Sequence, residues 1–64
     1  MNEQEIKEKY PIGTKVIVDF EHTDFIGTVV GHRNEFKFVF ITVKDQDDDH
    51  WDCLEKDLSL YSND

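Results

Sequence analysis

Phe36-Lys37-Phe38-Val39-Phe40-Ile41-Thr42-Val43 is the longest unbroken run of strand-forming residues in the chain, and the one run apolar on both of its alternating faces. Successive side chains of a strand point to opposite sides. Phe36, Phe38, Phe40 and Thr42 therefore share one side, and Lys37, Val39, Ile41 and Val43 the other. A strand apolar on both sides is buried on both or keeps one side for a partner. With 64 residues, a chain buries only about 60% of the surface it exposes when unfolded, which leaves little core to cover two faces. The reading is that Val39, Ile41 and Val43 face inward. The Phe36, Phe38, Phe40 row then lies in a groove or on an exposed flank, or else a strongly bent strand folds it into a second corner of the same core.

The rest of the chain is read outward from this strand, which runs on to Lys44. Asn34 and Glu35 form a tight connection back to Phe25–Arg33, FIGTVVGHR, and the two strands pair as a hairpin. Gly27 and Gly31 inside a strand pattern predict a bulge, a bend or a close backbone approach. Before it, the β-branched run Thr14–Phe20 predicts a half-buried strand, and the polar residues Glu21 to Asp24 a loop. Asn2 to Tyr10 suits a short helix: Asn2 could cap it, acids fill its first turn and lysines its last, and Ile6 and Tyr10 sit four apart on one edge. It either packs over one end of the fold or frays. Pro11 stops it, and Gly13 turns the chain into the first strand. On the other side, Asp45 to Asp49 forms an acidic turn and His50 to Leu54 a strand with Trp51 and Cys53 facing inward. Glu55 to Asp57 suits a 3-10 turn, and Leu58 to Tyr61 a last strand. The expected organisation is a helical or flexible segment at 1–10, a barrel at 11–61 and a disordered tail at 62–64.

Composition narrows the function. The chain carries 15 acidic and 7 basic side chains, a formal charge of -8. Such a field repels DNA, RNA and anionic lipid and speeds encounter with a basic protein surface, although excess carboxylates also serve solubility alone. One cysteine, Cys53, allows no internal disulfide, and no stretch reads as a signal peptide or membrane span, so the expected location is the cytoplasm.

The pieces Pro11-Ile12-Gly13-Thr14-Lys15-Val16-Ile17-Val18, Gly27-Thr28-Val29-Val30-Gly31, and Trp51-Asp52-Cys53 through Asp57-Leu58-Ser59-Leu60-Tyr61 resemble the SH3-like small barrels. Within that group they look like the short SH3-like and KOW-like proteins of bacteriophage and bacterial genomes. The resemblance implies an all-β, five-stranded antiparallel barrel with a short N-terminal helical turn and a 3-10 turn before the last strand. It also implies a binding module, while fold alone does not choose the ligand. The clustered Tyr, Trp and Pro of proline-peptide grooves are missing, and where KOW-like barrels carry basic loops this chain has acidic ones.

Several constellations bear on chemistry. Asp45, Asp47 and Asp49 alternate like the first ligands of a calcium loop, but that loop would need Gly and Glu where His50 and Lys56 stand. His22, His32, His50 and Cys53 lack zinc spacing, and an inward Cys53 is an inert thiol rather than a nucleophile. Neither a cofactor nor a metal nor enzymatic activity is expected. Asp45, Asp47, Asp48, Asp49, Asp52, Glu55 and Asp57 could instead form a carboxylate ridge beside Phe36, Phe38 and Phe40, able to engage the Arg and Lys of a phosphate-binding surface. The expected function is a small acidic protein-binding module, a phage-encoded accessory protein or inhibitor that docks on the basic surface of a nucleic-acid-processing host protein. A self-associating structural module, pairing through the Phe36–Phe40 strand as a weak homodimer, is the alternative.

Overall fold

The structure, a computed structural model, describes residues 3–62. Its strands are β1 (Lys15–Phe20), β2 (Thr23–Glu35), β3 (Phe38–Lys44), β4 (His50–Cys53) and β5 (Leu58–Leu60). They form one antiparallel sheet in the order β4-β3-β2-β1-β5. Helix α1 (Glu3–Lys9) precedes the sheet, and a 3-10 turn, Glu55–Asp57, leads into β5. The mainly-β class, the N-terminal helical turn and the 3-10 turn before the last strand are those predicted from sequence. The proposed Asn2 cap and the last two residues of the proposed tail lie outside the described residues.

β2 serves two partners. Thr23 to Thr28 pairs with β1 and Thr28 to Glu35 with β3, and the register shifts between Val29 and Gly31. A Cβ on buried Gly27 would overlap Val43 Cγ1 and come within 3.0 Å of the Lys44 carbonyl oxygen. Only glycine lets β2 and β3 cross this closely. At Gly31 the nearest atom to such a Cβ is 4.0 Å away, so the two glycines differ in role: Gly27 marks a close approach, while Gly31 follows the bulge at Val30.

Alternation along the strands builds the core. Val16 and Val18 of β1, Val29 of β2 and Ile41 and Val43 of β3 are wholly buried, with Cys53 and Leu58 from the last two strands. Val39 packs at the margin of this cluster, so the predicted inward row of the central strand is correct. α1 completes the core, since Ile6 is buried and Tyr10 is its largest side chain at 1% exposure. Three contacts fix the helix in place. The Tyr10 hydroxyl donates to the Leu58 carbonyl at 3.4 Å, His32 Nε2 donates to the Tyr10 carbonyl at 2.6 Å, and Asn34 Nδ2 donates to Glu3 Oε1 at 3.2 Å. The carbonyl of Tyr10 can only accept, so His32 carries its proton on Nε2.

Four boundaries or orientations differ from the sequence reading. The polar loop shrinks to Glu21 and His22, because Thr23 and Asp24 pair with Phe20 and Asp19. The next connection is Phe36-Lys37 rather than Asn34-Glu35, since Glu35 still pairs with Phe38. Phe36 thus leaves the strand and occupies the turn at φ 58°. Both two-residue connections have positive φ at their first residue only, Glu21 or Phe36, the pattern of a type II′ hairpin turn. Their sequences lack the glycine that usually announces it, which is why both were misplaced. Finally, Cys53 is buried as expected, but Trp51 is 36% exposed. It lies opposite Val43, on the core side of the sheet but at its rim.

Candidate partner-binding surface

The residues proposed as a single ridge are distributed over four places. Phe36 and Phe38 stand at the β2–β3 turn with 93% and 53% exposure. Asp45 follows the far end of β3, about 20 Å away at a strand's rise per residue. Phe40 lies between these ends and is partly covered, because the Arg33 guanidinium sits over its ring at 5.2 Å. Arg33 in turn bridges Asp52 Oδ2 at 3.0 Å and Glu35 at 3.4 Å, and Thr42 Oγ1 donates to Asp52 Oδ1 at 2.8 Å. Both oxygens of Asp52 are therefore engaged within the sheet. Glu55 faces Lys9 at 3.6 Å and Asp57 faces Lys56 at 3.7 Å. Asp52, Glu55 and Asp57 thus each face a basic side chain, and the carboxylate-rich surface lies elsewhere.

That surface is the turn between β3 and β4. Asp45 organises it: its Oδ1 accepts from the amides of Asp47 at 2.8 Å and Asp49 at 2.9 Å, and its Oδ2 accepts from Trp51 Nε1 at 2.8 Å. The indole donor, against the opposing effect of burial and with the Asp49 and Asp47 amides adding, holds the Asp45 carboxyl below its usual range. Asp48 takes positive φ at 66° and faces Lys44 at 3.5 Å. Asp47 and Asp49 turn their carboxylates to solvent.

Trp51 connects this turn to a second acidic one. Its ring lies 5.2 Å from that of Phe25 and 6.4 Å from that of Phe20, both tilted. Phe20 and Phe25 flank the β1–β2 turn, so the contact joins the two acid-rich hairpins, with Asp19 and Asp24 alternating onto the face opposite Phe20 and Phe25. Asp19 and Asp24 are direct cross-strand partners, and a hydrogen bond between their carboxyls raises the Asp19 pKa. Like charges placed opposite one another weaken a sheet. The sequence signal for this meeting is the register of β1, where Phe20 continues the inward row of Val16 and Val18. Assigning Trp51 to the interior hid it.

Cys53 is buried, and burial first, with the charges of Asp57 and Asp52 adding, pushes its thiol up to about 11. Among the described residues no three His, Cys, Asp or Glu side chains are grouped as metal ligands, and no helix is long and apolar enough to cross a membrane. No protein-family model matches the chain, and neither curated proteins nor solved structures give a match.

Proposed function

We propose that this chain is a cytoplasmic, phage-type protein-binding module of the SH3-like barrel group, which docks on the basic surface of a nucleic-acid-processing protein and blocks it. The barrel assignment is supported by five antiparallel strands, a long bent second strand and a 3-10 turn before the last. The single observation that carries the docking is the meeting of two acidic hairpin ends through the Phe20–Trp51 contact. Residues 19–24 and 44–51 together hold seven carboxylates and one lysine, Lys44. Carboxylates gathered at one end of a fold concentrate its field and steer a basic partner there. The test is capture of nucleic-acid-binding proteins from a bacterial lysate, with duplex DNA as competitor. Binding should weaken steeply with salt, yield to DNA, and fall when Asp47, Asp48 and Asp49 are changed to Asn. Retention unaffected by both DNA and the triple substitution would end this reading.

Self-association has an observation of its own. β4 pairs with β3 only from Ile41 to Lys44, so the Phe38–Phe40 edge has no strand beside it among the described residues. An open edge next to exposed Phe36 and Phe38 is a template for a second strand. Sedimentation would then show a salt-tolerant dimer that Phe38→Asp abolishes.

A further inference from the structure

Trp51 lies at the rim of the sheet with its N–H tied to Asp45. That bond occupies the N–H edge of the indole, Phe25 packs against the ring at 5.2 Å, and the residue keeps about a third of its surface open to solvent. A carboxylate accepting from the ring N–H also polarises the indole and makes its face more attractive to a cation. Phe20, 40% exposed, stands beside it as a second ring.

We propose that Trp51 and Phe20 form a stacking surface for an arginine side chain of a basic protein partner, beside the carboxylates of the β3–β4 turn. The inference rests on the docking reading above and deepens it by naming the recognised group. Arginine fits better than lysine for two reasons. Its planar guanidinium lies flat on an aromatic ring and keeps its edge donors for carboxylates, and it is more weakly hydrated than an ammonium. The surrounding charge selects the partner's sign, because six more carboxylates than lysines and arginines occupy residues 19–24 and 44–51 (seven against one).

Trp51 is the single tryptophan of the chain, so its emission reports binding at this place. The full chain is titrated with an arginine octapeptide and a lysine octapeptide at low and at moderate salt. The arginine peptide should change Trp51 emission saturably and bind about two- to fivefold more tightly than the lysine peptide, the scale of an exposed cation–π contact. That preference should survive moderate salt and persist in Phe38→Asp at the far end of the sheet. It should disappear in Phe20→Ala, with circular dichroism confirming the fold. Equal affinity of the unsubstituted protein for both peptides overturns the stacking surface and leaves electrostatic docking standing. Failure of either peptide to bind at low salt overturns both.

Discussion

Phe36 has a backbone angle that bulky side chains avoid, φ 58°, while its ring is 93% exposed. Left-handed backbone costs a residue of this kind on the order of 1 kcal/mol or more, and an exposed ring recovers almost none of that by packing. Phe36→Gly should therefore stabilise the protein by roughly 1 kcal/mol, read as a higher urea midpoint at unchanged slope. A loss of stability would mean that the ring packs in solution. Cys53 makes the opposite kind of prediction. Its folded pKa is raised above the ordinary 9.0 to about 11, so the fold holds the protonated thiol while the unfolded chain releases the proton sooner. Its contribution is complete below pH 9 and declines as pH rises toward 11. Cys53→Ala should flatten that decline in a series of thermal melts, and an unchanged alkaline slope would assign it to other groups.

At the scale of elements, α1 is a core component whose largest buried anchor is Tyr10, just past its end. Truncating a buried aromatic to alanine costs about 3–5 kcal/mol, which is much of the stability available to a domain this small. Tyr10→Ala, or removal of residues 1–10, should leave a chain with little cooperative melting, whereas Tyr10→Phe should melt close to the parent because the hydroxyl bond to Leu58 is long at 3.4 Å. The sequence made this element readable through the four-residue spacing of Ile6 and Tyr10. It did not decide between packing and fraying, since that depends on His32 and Asn34 arriving from β2. The strands were legible for the same reason, as β-branched residues alternate cleanly along β1 and β3. The turns were not. Glu21 and Phe36 adopt positive φ without glycine or asparagine to signal it, so both connections were displaced by one or two residues.

Across the whole molecule, the candidate surface was legible in its charge and misplaced in its location. The central strand seemed to put its phenylalanines next to the acidic turn because the two are close in sequence. A strand separates its ends, however, and β3 carries Phe38 and Lys44 to opposite ends of the sheet. Which rings stand beside the acids was settled by tertiary packing across the sheet, where Phe20 and Phe25 reach Trp51 from a distant hairpin. Salt dependence should follow this division. Phe38→Asp should leave binding of a basic peptide unchanged within about twofold, while neutralising Asp47, Asp48 and Asp49 should flatten its salt dependence.

The sheet order also sets the sequence of events in folding. Every neighbour pair from β1 to β4 is a hairpin between consecutive strands, and the β1–β5 pairing alone, Val16 with Leu60 and Val18 with Leu58, joins the two ends of the chain. Closing that long loop has the largest entropic cost and comes last, after a four-stranded meander has nucleated. Leu58→Val, a loss of ~0.5–1.5 kcal/mol on the one-methylene scale, should then appear almost wholly as faster unfolding. Ile41→Val in β3 should instead slow refolding. A molecule built this way opens from its last strand, and the seam between β1 and β5 is where it first comes apart.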